Sequence, residues 1–308
     1  MRSVQHARPC PFCGGATAKP AFPWGNRYGG IDFRYLRCSA CATRFIDPVP
    51  GASLQAAIFA PRTYHAAFYE EVDHTEYGAT AARIAARLPQ SARVLDYGCG
   101  NGHLLTALAE AGLDPTGVEI SEDAAANARK RTGHPVYAAD SREWRRAPYD
   151  CIHLRDVIGH LSEPVATLNG LLGSLRPGGK LFVEGAIEAN ASLVGMAART
   201  FASLKRVLSG AAVSSFPPFD LNFPTGASQR ALFRRLKAPL VELEWQIHET
   251  GWPYRANGKL RNAIALAAIG ASRLPLVGRH LGNRFSAVLQ LAPLAERPRD
   301  HIALRPPQ

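Results

Sequence analysis

The stretch VLDYGCGNG, residues 94–102, joins a short apolar run to three glycines at alternate positions. A short apolar run bounded by glycine reads as a buried strand. Glycines at this spacing let the backbone turn sharply and approach a ligand closely. Two phosphate-binding turns are excluded. A P-loop needs G-x-x-x-x-G-K-[ST], and no Lys, Ser or Thr stands in place. A dinucleotide turn needs G-x-G-x-x-G, and position 103 is His.

Outward from this turn, strand and helix signals alternate. RVLDY (93–97), DPTGVEI (114–120), HPVYAAD (134–140), YDCIHLRDV (149–157) and KLFVEGA (180–186) read as strands. GHLLTALAEAGL (102–113) has helical spacing of leucines and a Gly112 stop. The segment 121–133 opens on Ser121 as N-cap, carries acids in its first turn and bases in its last, and stops at Gly133. EPVATLNGLLGSLRPGG (163–179) reads as a helix ending in Pro-Gly-Gly. This rhythm predicts an α/β fold with a Rossmann-like, doubly wound, mostly parallel sheet. Beyond Glu188 the sequence predicts an amphipathic helix over 191–210, a loop over 214–225, a helix over 226–239 and a strand over 240–249. An apolar, basic helical insert over 259–282 and a last strand over 283–291 follow. The expected organisation is a cysteine-rich unit over 1–50, a helical linker or lid over 51–90, a ligand-binding core over 91–188, a C-terminal part of the same domain over 189–291 and a disordered tail over 292–308.

The ligand is read from strand-end acids. Asp96, at the end of the first core strand, would repel a pyrophosphate but suits an amine. Glu119, at the end of the next strand, accepts hydrogen bonds from ribose hydroxyls, as in other doubly wound nucleoside sites. Asp140, after the third, accepts from an exocyclic adenine amine. The fitting ligand is cationic, phosphate-free and adenosine-bearing: S-adenosylmethionine. Asp96-x-Gly98-x-Gly100-x-Gly102, Glu119, Asp140 and LRPGGKLFVEG (175–185) resemble the class I S-adenosylmethionine-dependent methyltransferases over roughly residues 60–190, and more loosely to about 291. The resemblance implies that the backbone of Gly98 and Gly100 lies against the methionine part and that Asp96 meets its amino end. It implies that Glu119 holds the ribose and that Asp140, with the backbone of Ser141, reads adenine. Tyr97, Gly102, Ile120 and Arg155 complete the expected donor-binding set, with His103 bordering the turn.

The residues after the fourth strand, LRDVIGHLSEP (154–164), are expected to face the acceptor. Enzymes that methylate exocyclic base amines resemble [DN]-P-P-[YF] here, and that motif is absent. A Pro-Cys nucleophile for pyrimidine carbon chemistry occurs only at Pro9-Cys10, outside the core. An oxygen, amine or activated carbon of a small molecule remains, with oxygen favoured. His160 is the candidate general base, poised near neutral pH; the alternative is a structural histidine opening the next helix. Relatives carry a Glu-His pair at this spot, and Gly159 stands where the Glu would be. Asp156 is the second catalytic candidate.

Cys10-x-x-Cys13 and Cys38-x-x-Cys41, separated by 24 residues, form two knuckles whose four thiolates suit a structural Zn2+. Cys99 and Cys151 read as packing residues. The first fifty residues resemble the zinc-ribbon head of a bacterial group of these methyltransferases, whose members act on sugars, polysaccharide precursors or secondary metabolites. The formal net charge is +11. Residues 1–198 carry 20 basic and 19 acidic side chains, residues 199–308 carry 16 and 6, so the basic character belongs to the C-terminal third. A ribosomal RNA methyltransferase with a cysteine-rich head is the rival reading. Against it, the basic residues alternate with Leu, Ile and Ala rather than with aromatics. That pattern suits peripheral contact with a membrane surface, as in methyltransferases of ubiquinone biosynthesis, or an ordinary lid helix. An inactive donor-binding module is a third reading. No secretory signal and no membrane span is visible in the sequence, so a cytoplasmic protein, in peripheral contact with the inner membrane if the basic third docks there, is expected. The oligomeric state has no sequence signal.

Overall fold

The structure is a computed structural model that describes residues 8–59, 74–146, 148–209, 217–251, 258–274 and 281–292. Strands β1 (Ala18–Tyr28), β2 (Ile31–Cys38) and β3 (Arg44–Asp47) form an antiparallel meander. Helices α1 (Ala52–Ile58) and α2 (His74–Ala85) lead to β4 (Arg93–Tyr97). Then come α3 (His103–Glu110), β5 (Asp114–Glu119), α4 (Glu122–Thr132), β6 (Val136–Ala138), β7 (Tyr149–Arg155), α5 (Pro164–Leu172) and β8 (Leu175–Ala186). The chain ends with α6 (Leu193–Ser209), β9 (Asn222–Phe223), α7 (Gly226–Arg234), β10 (Leu240–His248), α8 (Lys259–Ser272) and β11 (Arg284–Leu291).

Seven strands form the main sheet in the order β10-β11-β8-β7-β4-β5-β6. Strands β4 to β8 pair in parallel, and β11 runs antiparallel to both β8 and β10. The expected doubly wound, mostly parallel sheet is therefore present. Its central strands are buried on both faces: Val94, Leu95, Cys151, Ile152 and Leu154 are inaccessible to solvent, as parallel strands covered by helices must be. The chain winds from β4 out to β6, then returns to pair β7 with the other side of β4. Adjacent connections leave β4 and β7 in opposite directions, which opens a crevice at their carboxyl ends.

Local signals account for most boundaries. The Ser121 side chain accepts from the Ala124 amide at the start of α4, and Gly133 ends it in the left-handed conformation. Cys99 and Cys151 are buried packing residues, as expected. Three boundaries differ from the sequence reading. Helix α5 ends at Leu172, not at Gly179, and β8 already begins at Leu175. Pro177 is the reason: it has no N–H to give a helix and disfavours a helical residue before it. The third core strand stops at Ala138, because the Ser141 amide turns back onto the Ala138 carbonyl. The expected loop over 214–225 contains β9, which pairs antiparallel with β3. The disordered-tail expectation falls on residues 293–308, and part of the basic insert on 275–280; both lie outside the described residues.

The cysteine-rich unit and the main sheet share one apolar core. Phe12 and Phe45 from the former, Leu232, Phe233 and Leu236 from α7 and its end, and Leu154, Leu168 and Leu181 from the core belong to one buried cluster. Polar contacts close the seam: Arg8 donates to the Ser162 carbonyl at 3.4 Å, Arg44 to the Glu188 carbonyl at 3.1 Å, and Arg235 to the Pro11 and Phe12 carbonyls at 3.2 Å each. Phe45→Ala should therefore cost about 3–5 kcal/mol in urea unfolding, and the whole chain should still unfold in one transition. A separate early transition for residues 8–50 would show that the seam does not couple the two parts.

Candidate active site

A cleft of about 560 Å³ opens at the carboxyl ends of β4 and β7. Asp96, Gly98 and Gly100 line one end, and Asp156, His160 and Asp220 line the other. The glycine turn is fixed to the end of β5: the Gly98 and Cys99 amides donate to the Val118 carbonyl at 2.8 and 3.0 Å, and the Gly100 amide to Glu119 Oε2 at 2.9 Å. Gly98 has φ +87°, and a Cβ there would lie 2.5 Å from Val157 Cγ2. Only glycine lets the turn pass that close to the segment after β7.

Asp96 is buried and its Oδ1 lies 2.8 Å from His153 Nδ1. A carboxylate only accepts, so Nδ1 carries a hydrogen. The second Asp96 oxygen remains for a ligand, and His153 Nε2 is buried without a hydrogen-bond partner. Glu119 accepts from three amides, those of Gly100, Ile120 and Ser121, each at 2.9 Å. Of the expected donor-binding residues besides Asp96, Gly98 and Gly100, Arg155 lines this cleft, and Glu119, Tyr97, Gly102, Ile120, Asp140 and Ser141 do not. Tyr97 packs edge-on to Trp144 with ring centres 5.8 Å apart. Gly102, at φ +81°, begins α3, and a Cβ there would lie 2.9 Å from that of Ala128. Ile120 is 55% exposed, Asp140 is exposed, and Ser141 Oγ accepts from the Glu143 amide. Arg155 lines the cleft, pairs with Glu76 and sits over the Tyr77 ring; Tyr77 in turn stacks on His103. Helix α2 thus forms a wall beside the glycine turn.

At the opposite end, His160 ends a 3-10 turn (Ile158–His160). Its Nδ1 lies 2.8 Å from the Phe219 carbonyl and 3.3 Å from Asp220 Oδ1. Both partners accept only, so Nδ1 is the protonated nitrogen and Nε2 the basic one. Asp156 adopts φ +56°; Arg284 donates to its Oδ2 at 2.6 Å and the Ala186 amide to its Oδ1 at 3.1 Å. Burial pushes the Asp156 carboxyl up, but Arg284 and then Arg155 hold it below the ordinary carboxylate range. Asp156 is thus committed as an ion-pair partner. Burial pushes Glu188 up to about 7, Asp220 adds to the shift, and Arg44 opposes it. His153, Glu188, Asp220 and Arg284 line the cleft and were not singled out in the sequence. His153 had a signal, a lone imidazole inside an apolar strand; Asp220, in a segment of irregular spacing, had none.

The four knuckle cysteines come together outside the cleft lining. Their sulfurs lie within 4.8 Å of one another, with Cys10–Cys41 at 3.6 Å and Cys13–Cys38 at 3.5 Å. These are not disulfide distances. Gly15 leaves room for the cluster: a Cβ there would meet Cys13 and Cys38 Sγ at 3.3 Å.

Residues 69–218 match the family model Methyltransf_23, described as a methyltransferase domain. That match spans β4 to β8 and the glycine turn, so this part of the chain carries a methyltransferase domain. Among curated proteins, it is 34% identical over 110 residues to the ubiquinone biosynthesis O-methyltransferase of Xylella fastidiosa (strain 9a5c), covering 33% of this chain and 45% of that protein. It is 30% identical over 97 residues to the protein of the same name from Hydrogenovibrio crunogenus, covering 29% and 40%. The chain thus spans less than half the length of these relatives. Among solved structures, CalS10, an amino pentose methyltransferase from Micromonospora echinaspora, is 30% identical over 39% of this chain and 54% of its own, with a TM-score of 0.34.

The Glu188 shift has a thermodynamic consequence. Between about pH 4.5 and 7 the folded chain holds a proton at Glu188 that the unfolded chain has lost. Stability from this group therefore falls as pH rises through that window. Glu188→Gln should match the wild type near pH 5 and exceed it at pH 8 by on the order of 2 kcal/mol in urea unfolding. An equal difference at both pH values would contradict the assignment.

Proposed function

We propose that the chain transfers a methyl group from S-adenosylmethionine to an oxygen of a small-molecule acceptor, with His160 as the general base. The observation that carries this reading is one cleft with an amine-accepting carboxylate, Asp96, at one end and a histidine in the base-competent tautomer at the other. The donor-end residues fit S-adenosylmethionine chemically. A buried carboxylate disfavours phosphate and favours a cationic amine. The unpartnered His153 Nε2 awaits a polar contact. Glu119 has two oxygens with about four lone-pair sites, so three amides leave capacity for a ribose hydroxyl. Exposed Ile120 offers an apolar face to adenine, and Asp140 an acceptor for its amine.

S-adenosylmethionine, when bound, supplies an electrophilic methyl group on a sulfonium that is already a good leaving group. The protein's part is positioning, exclusion of water and removal of one proton. His160 takes the acceptor's hydroxyl proton at Nε2 while Nδ1–H stays bonded. Asp156, held by Arg284, shapes the wall rather than titrating.

The four cysteines hold a structural Zn2+ in this reading. A tetrahedral zinc with bonds of about 2.3 Å places its sulfurs about 3.8 Å apart, close to the 3.5 and 3.6 Å seen. Four thiolates leave no position for water, so the metal acts in folding. Elemental analysis should find one zinc per chain, and Cys38→Ser should lose the metal and lower the unfolding midpoint. Full stability without metal would contradict this.

One observation favours a second, narrower reading, in which the acceptor is lipid-linked. Leu193, Met196, Phe201 and Leu204 on α6, and Leu260, Leu266 and Leu274 on or just after α8, are exposed beside exposed Lys259, Arg261 and Arg273. No helix among the described residues is long and apolar enough to cross a membrane, so contact would be peripheral. The relatives named for ubiquinone biosynthesis agree with that reading.

Transfer of labelled methyl into fractionated extract of the source organism tests both. Label in a low-mass aqueous fraction supports the small-molecule reading, and label in a solvent-extracted fraction supports the lipid-linked one. Ribonuclease-sensitive label would overturn both. His160→Ala should lower transfer about 100-fold or more and leave donor affinity unchanged.

A further inference from the structure

The sequence places glycine before His160 and puts Asp220 sixty residues downstream. The structure brings them into contact. A Cβ at Gly159 would lie 3.0 Å from Asp220 Oδ1 and 3.3 Å from the Asn222 carbonyl. The bare backbone at 159 is therefore what admits the Asp220 carboxylate to within 3.3 Å of His160 Nδ1. Two opposed sets of bonds hold the segment that carries Asp220. Toward the core, the Leu221 amide donates to the Gly159 carbonyl at 3.0 Å and Asn222 Nδ2 to the Leu161 carbonyl at 2.7 Å. Toward the cysteine-rich unit, the Ile46 amide donates to the Leu221 carbonyl at 2.9 Å, and β9 pairs Asn222 with Phe45 and Phe223 with Arg44. Arg44 also spans the Phe223 ring and the Glu188 carbonyl.

We propose that Asp220 is the positioning residue of His160, and that the cysteine-rich sheet, through β3 and β9, is the frame that carries it there. This rests on the reading of His160 as base. The acceptor's hydroxyl proton moves to Nε2, and the oxygen keeps the electron pair for its new bond to the methyl carbon. Nδ1–H remains bonded to the Phe219 carbonyl, with the Asp220 carboxylate 3.3 Å from Nδ1. Burial and the neighbouring Asp156 push the Asp220 carboxyl up while His160 draws it down, and in its ionised form it stabilises the imidazolium formed. A main-chain carbonyl alone fixes the tautomer; the carboxylate adds the charge that the imidazolium needs. The other ionisable groups facing this pair are Tyr35 on β2, Asp156 after β7 and Glu188 after β8, with Arg284 on β11 paired to Asp156.

The test is a titration of the full chain labelled with 15N-histidine, with the His160 signal assigned through His160→Ala. It needs no identified acceptor. Asp220→Asn keeps the side chain's shape and removes its charge. The His160 titration midpoint should fall by about half a pH unit or more, and the Kd for S-adenosylmethionine should stay within about twofold. Methyl transfer into the active extract fraction should fall about tenfold or more. Asp220→Glu restores a carboxylate and should return the midpoint toward the wild-type value. An unmoved midpoint in Asp220→Asn overturns the proposal, and so does loss of donor affinity in both variants, which would make Asp220 part of the fold alone. If His160→Ala itself transfers methyl normally, the reading of His160 as base fails. If His160→Ala is inactive while Asp220→Asn behaves as wild type, only the role of Asp220 fails.

Discussion

The pairing of β4 with β7 is the constraint on which the rest of the site depends. Val94, Leu95 and Asp96 lie opposite Cys151, Ile152 and His153 in parallel register. The first two pairs are apolar and inaccessible to solvent, so the register is strongly specified. The third pair sets Asp96 beside His153 at the end of both strands, where the chain leaves in opposite directions. Every wall of the cleft follows from that junction. The glycine turn leaves β4 on one side, and the segment bearing Asp156 and His160 leaves β7 on the other. Gly98 is the point where the two exits nearly touch, with room for no more than a hydrogen against Val157.

The second organising feature is the seam between the cysteine-rich sheet and the core. The small cysteine-rich unit is not a separate appendage. Here it shares buried phenylalanines with α7 and donates a strand edge to β9. The arrangement makes the His160 end of the cleft a joint product of both parts. The Asp96 end, by contrast, is built from β4, β5 and the turns after them. The two ends thus draw on different sets of contacts, so each can be perturbed with the other left intact. Exposed apolar and basic residues on α6 and α8 lie outside both sets, consistent with a role in what the protein meets rather than in how it folds.

Much of the fold was legible because its signals are local. The alternation of apolar runs with capped helices gave the parallel sheet, and Ser121 and Gly133 marked one helix to the residue. The positions of Asp96, Gly98, Gly100 and Glu119 in the fold were legible for the same reason: each sits at a strand end or in the turn that follows. The end of α5 was misplaced because the glycine pair was read as the stop, whereas Pro177 already forbids helix before it. Asp220 and β9 were not legible at all. Their positions are set by pairing across 177 positions, between Phe45 and Asn222, and no spacing rule reaches that far. The commitment of Asp156 to Arg284 was hidden for the same reason: the two are 128 residues apart.

The most direct test of the central claim, that this turn binds a phosphate-free adenosyl cation, is calorimetric titration of the full chain with S-adenosylmethionine, with ATP as the phosphate-bearing competitor. Saturable binding of S-adenosylmethionine that a large excess of ATP does not displace, and that Asp96→Asn abolishes, is the predicted result. Equal or tighter binding of ATP, or donor binding indifferent to Asp96→Asn, would contradict it.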